Sequence, residues 1–279
     1  MEDVILEARG LSYDYDGAAH ALDSVSMEIR RGERIAVLGT NGAGKSTFFL
    51  CLNGVLEPHH GEILLQGAPV TRKTRGNLRQ RVGVVFQNAD DQIIASTVRA
   101  EVSFGPMNLR LPKAEVVRRT EQAIDYMHLQ AYRDRPPHAL SGGEKKRVTI
   151  ADILAMESEV ILFDEPAASL DPEGAAALET VLARLHAAGK TLLISTHDMD
   201  FAYRWADRVV VFCAGKICAD GAPAEIFSDR ALLTRTSLRQ PMLLAVWNTL
   251  RARGLAPADG GCPRTPEALE RQLDAFLRT

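Results

Sequence analysis

Nine consecutive residues, 39–47, constrain the fold of this chain more than any other stretch. They read Gly-Thr-Asn-Gly-Ala-Gly-Lys-Ser-Thr, which fits the pattern G-x-x-x-x-G-K-[ST]. The apolar run 34–38 before them predicts a buried parallel strand, and residues 46–52 predict the start of a helix. A glycine-rich loop between a strand and a helix binds phosphate, because free backbone N–H groups and the positive helix end face the same point.

Two side chains of this loop carry the chemistry that a nucleotide requires. The Lys45 ammonium is predicted to pair with the β- and γ-phosphates, and the Ser46 hydroxyl is a hard oxygen ligand for Mg²⁺. The predicted phosphate cradle consists of the remaining loop residues: Gly39, Thr40, Asn41, Gly42, Ala43, Gly44 and Thr47. The alternative is a glycine turn that binds nothing, and the strand–loop–helix context disfavours it.

Two further apolar runs end in oxygen-bearing side chains. Residues 82–86 lead to Gln87, which is predicted to ligate Mg²⁺ through its carbonyl or to hold the attacking water. The buried run that starts at Val160 delivers Asp164 and Glu165. Asp164 suits Mg²⁺ coordination, usually through water, and Glu165 is a candidate to accept a proton from the water that attacks the γ-phosphate.

Another predicted strand, residues 191–196, carries His197 at its end. A lone histidine is usually structural. Polar groups at the carboxyl ends of parallel strands collect at one edge of the sheet, so a functional role for His197 is favoured here.

The region from about residue 95 to 156 has the periodicity of helices. Ser141, Gly142, Gly143 and Glu144 interrupt it just before a new helical run. Ser141 is a natural N-cap and the glycines leave backbone N–H groups free, which predicts a second anion site. The alternative is a capped helix without a ligand. Asp171 is likewise a candidate cap for the helix that follows Ser169 and Leu170.

Tyr15 precedes the loop by 24 residues and has two interpretations. Its ring is suited to stack on a nucleotide base, or it packs on a neighbouring strand residue.

Composition excludes several classes of protein. The net charge of −3 gives no global basic field, so no nucleic-acid partner is expected, although a local patch is not excluded. Cys51, Cys213, Cys218 and Cys262 have no C-x-x-C spacing, which favours reduced, mostly buried thiols in a cytosolic protein over a metal site. No signal peptide and no apolar run of about 18 residues is apparent, so any action at a membrane is expected to need a partner.

Composition changes beyond about residue 231. Two amphipathic helices are predicted, one around Trp247 and one around Leu273, with a linker-like stretch at 257–263. A tail of this length cannot form a core alone. It is expected either to pack on the main domain or to pair with a copy of itself.

The chain resembles the ATP-binding-cassette ATPases over about residues 3 to 225. The features that carry this resemblance occur together and in a fixed order: residues 39–47, Gln87, 140–144, 160–165, 169–171 and His197. The resemblance implies an α/β P-loop NTPase cassette at 1–228, with an antiparallel β subdomain, an α-helical subdomain at about 95–156 and a small helical C-terminal extension at 229–279. It also implies ATP and Mg²⁺ as ligands and a head-to-tail homodimer.

The same resemblance implies the site roles. ATP on one loop would be capped by Ser141, Gly142, Gly143 and Glu144 of the other subunit. Gln87 and Asp164 would serve Mg²⁺, Glu165 would be the general base and His197 would contact the γ-phosphate. Tyr15 matches the adenine-stacking position, and Asp171 matches the loop that crosses between subunits.

A narrower resemblance comes from residues 85–92, Thr97 with Val98, residues 101–106 and the tail. These are similar to the ATPases of energy-coupling-factor importers, and most similar to their cobalt/nickel group, the CbiO-like ATPases. The family implies an ATPase on the cytoplasmic face of the cell inner membrane, docked on an integral membrane scaffold subunit beside a substrate-binding membrane subunit. A vitamin-type importer is the alternative.

Two residues depart from the family pattern. Glu144 stands where the family usually has Gln, and Ala89 replaces a usual Pro. Three other functions remain open: a soluble non-transport ATPase of the same family, a P-loop kinase and an exporter ATPase. The stretch 140–144 with His197 disfavours the kinase.

Overall fold

Two sheets organise the chain in the computed structural model, which describes residues 3–15, 20–168, 170–257 and 261–277. The smaller sheet is antiparallel, with strand order β2-β1-β4-β5. Its strands are β1 (Val4–Tyr13), β2 (Leu22–Arg30), β4 (His60–Leu65) and β5 (Ala68–Pro69).

The larger sheet has six strands in the order β10-β9-β3-β8-β7-β6. They are β3 (Arg34–Leu38), β6 (Val82–Val85), β7 (Val160–Asp164), β8 (Thr191–Ser195), β9 (Arg208–Cys213) and β10 (Lys216–Gly221). The neighbours from β9 to β6 pair in parallel, and β10 is antiparallel to β9. The carboxyl ends of β3, β6, β7 and β8 therefore meet at one edge, as the apolar runs in the sequence predicted.

The parallel strands of the larger sheet, from β9 to β6, are mostly apolar on both faces because both faces are covered. On β3, Ile35 and Val37 join the core that lies towards the small sheet, whereas Ala36 and Leu38 join the core on the opposite side. This arrangement explains why the strand reads as a continuous apolar run instead of an alternating one.

Eleven α-helices occur in the described part of the chain. They are α1 (Lys45–Asn53), α2 (Arg75–Arg81), α3 (Val98–Asn108), α4 (Lys113–Tyr126), α5 (Gly142–Ala155), α6 (Pro172–Ala187), α7 (Met199–Trp205), α8 (Pro223–Ser228), α9 (Arg230–Thr236), α10 (Met242–Ala252) and α11 (Pro266–Leu277). Helices α3, α4 and α5 pack on one another and fall inside the predicted helical region at 95–156. None of the helices in the described ranges is long and apolar enough to cross a membrane.

The tail packs on the main body of the same chain. Leu244 and Trp247 of α10 are fully buried, and Leu244 belongs to the core that covers the larger sheet. Arg264 donates a hydrogen bond from Nε to the carbonyl oxygen of Tyr203 at 2.8 Å and a second one to Ala206. The tail thus packs on the main domain, which was one of its two expected arrangements. The domain boundary at 228/229 stays a prediction.

The cysteine prediction was wrong for one pair. Cys213 and Cys218 are joined by a disulfide, with Cα atoms 6.0 Å apart. The cause is the β9–β10 hairpin, which folds the chain back and brings two residues only five apart within bonding range. Cys51 is free and buried and Cys262 is free and half-buried, as expected of thiols.

Candidate nucleotide-binding site

The loop between β3 and α1 has a backbone that only glycine adopts easily. Gly39, Gly42 and Gly44 all have positive φ, at 145°, 77° and 105°. A Cβ atom at Gly39 would lie 2.5 Å from the carbonyl oxygen of Phe212, and one at Gly44 would lie 2.4 Å from that of Ala21. The turn is therefore closely packed against the backbone at Phe212 and Ala21, and it leads directly into the N-terminus of α1.

Lys45 is buried beneath this loop and turns back on it. Its Nζ donates to the carbonyl oxygens of Gly39 at 2.8 Å and Thr40 at 3.1 Å, and lies 4.0 Å from Glu165 Oε1. Burial lowers the pKa of the ammonium, and the nearby carboxylates of Glu165 and Asp164 oppose that shift. The hydrogen bonds of the ammonium thus go to main-chain carbonyls, which a phosphate group can replace as its partner.

Ser46, Gln87 and Asp164 come from three different elements and line one cavity of about 360 Å³. Their oxygens are hydroxyl, amide carbonyl and carboxylate, the donor set that Mg²⁺ prefers. The predicted metal ligands thus converge and fit the ion. Ala89, the departure in the adjoining loop, still opens a short 3₁₀ turn, which Asn88 caps through the N–H of Asp90.

Ser195 organises the neighbouring carboxylates and was missed in the sequence. Its buried hydroxyl donates to Asp164 Oδ1 at 2.6 Å and accepts the N–H of Glu165 at 2.9 Å. Asp164 pairs with Ser195 across β7 and β8. The available signal was that this serine lies near the end of the predicted strand 191–196, and the carboxyl ends of parallel strands meet at one edge of the sheet.

Glu165 and His197 form a close pair at the same edge of the sheet. His197 Nε2 lies 2.5 Å from Glu165 Oε1. The backbone of Glu165 has φ +43°, which a non-glycine residue adopts only at a cost and which is common at functional sites. The structure therefore brings together the two residues predicted to act on the γ-phosphate and its attacking water.

The N-terminus of α5 is open and lies apart from the loop at 39–47. Ser141 Oγ accepts the N–H of Glu144 at 3.3 Å, and Glu144 Oε2 accepts the N–H of Ser141 at 2.7 Å, which together form a capping box. The Tyr132 hydroxyl and Ser141 lower the pKa of Glu144. Glu144, which stands where the family usually has Gln, therefore helps to cap the helix to which it belongs, α5.

A cavity of about 570 Å³ adjoins this helix start and includes Gly142, Gly143 and Asp171, but none of residues 39–47 lines it. Asp171 caps α6, since its Oδ1 accepts the N–H of Gly174 at 2.7 Å. Ser169 lies outside the described residues.

Tyr15 packs on a neighbouring strand residue, one of its two predicted environments; stacking on a nucleotide base stays a prediction. Its hydroxyl lies 3.3 Å from Thr47 Oγ1, and its ring meets the Tyr13 ring edge-on at 5.1 Å. Tyr13 in turn stacks on His59. With 46% of its surface exposed, Tyr15 still presents a ring face near the loop.

Lys146 is a second residue that sequence reasoning missed. It is buried on α5, and its Nζ donates to the carbonyl oxygens of Phe86 at 2.7 Å and Gln87 at 2.8 Å. Burial lowers its pKa to about 8, with Asp164 opposing the shift. Nothing in the pattern at 140–147 distinguishes it from Lys145, the half-buried lysine that precedes it.

A parallel sheet whose strand ends surround a glycine-rich loop, with a second sheet on one side and a helical subdomain on the other, defines a P-loop ATPase cassette. Residues 22–168 match the ABC transporter domain. The chain belongs to the ABC transporter family, among its ATPases.

Curated relatives match over most of the chain. A cobalt import ATP-binding protein, CbiO, of Rhodobacter capsulatus is 46% identical over 98% of this chain and 99% of its own length. An energy-coupling factor transporter ATP-binding protein, EcfA, of Methanothermobacter thermautotrophicus is 47% identical over 90% of this chain and 81% of its own length. Against a putative ABC transporter ATP-binding protein of Methanosarcina mazei, also 47% identical, the chain spans only 56% of the relative.

Among solved structures, cbiO1 from Clostridium perfringens, described as part of the ABC transporter complex cbiONQ, aligns with a TM-score of 0.74. It is 39% identical, and the alignment covers 88% of this chain and all of that one.

Proposed function

We propose that this chain is the ATP-hydrolysing subunit of an energy-coupling-factor importer for cobalt or nickel ions. The observation that carries the proposal is the similarity to a cobalt import ATP-binding protein over nearly the whole of both chains. The site supports it, since the glycine-rich loop, the candidate Mg²⁺ ligands and the pair of Glu165 and His197 lie at one edge of the sheet.

In the proposed chemistry, the backbone N–H groups of residues 39–47 hold the phosphates and Lys45 neutralises their charge. Ser46, Gln87 and Asp164 would hold Mg²⁺, which supplies further neutralisation of the phosphate oxygens. Glu165 takes the proton of the attacking water. His197, whose Nε2 lies 2.5 Å from Glu165 Oε1, would orient that carboxylate and contact the terminal phosphate.

The site is proposed to be complete only in a head-to-tail homodimer. Ser141, Gly142, Gly143 and Glu144 of one subunit would cap the nucleotide on the loop of the other, with Asp171 at the crossing. Support comes from the separation of the two cavities within one chain and from the open N-terminus of α5, where a Cβ at Gly142 or Gly143 would meet nothing within 4 Å.

The membrane partners are proposed to be an integral scaffold subunit and a substrate-binding subunit, with the chain peripheral on the cytoplasmic face of the inner membrane. An apolar groove of about 580 Å³ between α3 and α4 supports a docking site for scaffold helices. Met107 and Val117 line this groove, and both are exposed. Exposed methionine and valine in a groove suit an amphipathic helix.

The decisive experiment is affinity purification of the tagged chain from membranes of its host in mild detergent, with mass spectrometry of what co-purifies. A multi-span scaffold and a small membrane subunit are expected, and metal content of the purified complex would separate the cobalt or nickel cargo from a vitamin. The Val117→Asp variant should lose the scaffold while the purified chain keeps its ATPase activity. Recovery of soluble partners alone, with wild-type ATPase activity intact, would favour a non-transport ATPase.

A further inference from the structure

The loop that carries Gln87 is held by helix α5 and by its own side chains. Lys146 donates to the carbonyl oxygens of Phe86 and Gln87, and Lys145 pairs with Asp90 at 2.7 Å. Within the loop, the side chain of Gln92 accepts the N–H of Phe86 at 3.2 Å.

The same helix begins at the residues proposed to cap the partner's nucleotide. Lys146 follows Gly142 by four residues, about one helical turn, so the capping end of α5 and the contact with Gln87 belong to one rigid segment. Gln87 itself faces the cavity that it shares with Ser46 and Asp164. One helix therefore touches both the site of its own chain and, in the proposed dimer, the site of the partner.

We propose that Lys146 is a positioning residue that fastens Gln87 to helix α5 and so couples the two nucleotide sites of the dimer. The inference rests on the proposed function, since it requires the head-to-tail dimer. When Gln87 is drawn to the nucleotide in its own chain, α5 follows, and its N-terminus reaches the orientation that closes on the partner.

A lysine suits this task because of its chemistry and its burial. Its ammonium has three donors, of which two are used on adjacent carbonyls of a loop with exposed side chains. Hydrogen bonds from a charged donor are stronger than neutral ones, and the enclosed position protects them from competition by water. Methionine has a similar length and fills the same space but donates nothing, so Lys146→Met removes the link and leaves the packing.

The test uses the full-length chain with Glu165→Gln, so that ATP is not consumed, and measures dimerisation by sedimentation as ATP and Mg²⁺ are added. Adding Lys146→Met should raise the ATP concentration at half-dimerisation about tenfold, because two charge-assisted hydrogen bonds are lost. Binding of a fluorescent ATP analogue to the monomer without Mg²⁺ should change less than twofold, since Lys146 does not touch residues 39–47. Lys146→Gln, which keeps an N–H donor, should lie between the two.

Lys190→Met is the matched control. Lys190 is also a partly enclosed lysine that donates to a main-chain carbonyl, that of Ser158 at 2.7 Å, but it lies away from both cavities. Lys190→Met should leave the ATP concentration at half-dimerisation unchanged.

The outcomes separate this inference from the function on which it rests. If Glu165→Gln alone does not dimerise with ATP, the head-to-tail dimer is wrong and the coupling falls with it. If it dimerises and Lys146→Met dimerises at the same ATP concentration, the dimer stands and the role of Lys146 is overturned. Should Lys146→Met fail to fold, hydrogen exchange on Glu165→Gln decides: protection of residues 86–92 and 141–147 in parallel as ATP is added supports the link, and protection of one segment without the other refutes it.

Discussion

The imidazole of His197 and the carboxylate of Glu165 approach to 2.5 Å, between atoms Nε2 and Oε1, although the two residues follow different strands. The register that places Asp164 beside Ser195 brings the next residues of both strands to the same edge. The pair is thus a product of the parallel sheet, and under the proposed function it marks the place where the attacking water would be activated.

Replacing Glu165 by Gln should abolish turnover and preserve nucleotide binding. Removing a general base costs about 10²–10⁴-fold in rate, whereas the contacts of the phosphates with residues 39–47 and Lys45 remain. Single-turnover hydrolysis and equilibrium binding of ATP measure the two effects separately. Glu179→Gln, in an exposed pair with Arg204, is the control. Hydrolysis by Glu165→Gln at the wild-type rate would disprove the assignment.

Replacing Ser195 by Ala should disorder the carboxylates of Asp164 and Glu165 and so weaken the binding of Mg²⁺. The change leaves the N–H of Glu165 without its partner and frees Asp164, at an expected cost of about 1–3 kcal/mol in stability. We expect the Mg²⁺ concentration for half-maximal ATPase activity to rise severalfold. Ser158→Ala removes another buried serine, which bonds the carbonyl of Gln80. A similar Mg²⁺ response in both variants would show that Ser195 is only structural.

Replacing Gly44 by Ala should destroy the phosphate loop. The new Cβ would lie 2.4 Å from the carbonyl oxygen of Ala21 at a φ of +105°, so the turn must shift. Binding of ATP should fall by at least about tenfold. Gly76→Ala in α2 meets nothing within 4 Å and should be neutral or stabilise by roughly 0.5–1 kcal/mol. Unchanged ATP binding by Gly44→Ala would contradict the loop geometry.

Stability should depend on pH through Asp152. Burial, reinforced by nearby Glu101, raises the pKa of Asp152 to about 7 from 3.8, and its Oδ1 lacks a hydrogen-bond partner. Between those values the folded chain holds a proton that the unfolded chain has released, so stability falls as pH rises through that window. Asp152→Asn should therefore gain stability relative to wild type between pH 4 and 7, by up to about 4 kcal/mol for a shift of about three pKa units.

Denaturant unfolding at pH 5 and pH 8 measures this difference. Asp125→Asn is the control, since Asp125 lies on the neighbouring helix α4 and bonds Gln130 at the surface. An equal free-energy change for Asp152→Asn at both pH values would contradict the prediction.

Two variants in helix α10 of the tail should distinguish its role in folding from a role in self-association. Leu244→Ala should destabilise the chain by about 2–5 kcal/mol, because Leu244 is fully buried in the core. Met242 is 72% exposed on the same helix, so Met242→Asp should leave stability within about 0.5 kcal/mol and weaken any dimer formed without ATP. Sedimentation that is identical for Met242→Asp and wild type would exclude a dimer contact at this position.

The sequence by itself determined the loop at 39–47, the strands that carry Gln87, Asp164, Glu165 and His197, and the helix start at Ser141. These features are local: glycines at fixed spacing, apolar runs and capping residues act through neighbouring backbone atoms. The family followed from their order along the chain.

Only the tertiary structure decided which side chains meet. Ser195 and Lys146 bond groups 30 to 60 residues away, so neither has a local pattern that predicts its partner. The disulfide of Cys213 and Cys218 depends on the pairing of two strands, and the direction in which the tail packs depends on a hydrophobic surface formed by α7 and α8. Burial and hydrogen bonding between distant segments depend on the packing of the whole domain. The sequence determines that packing, but no local pattern in a single sequence shows which distant residues will meet.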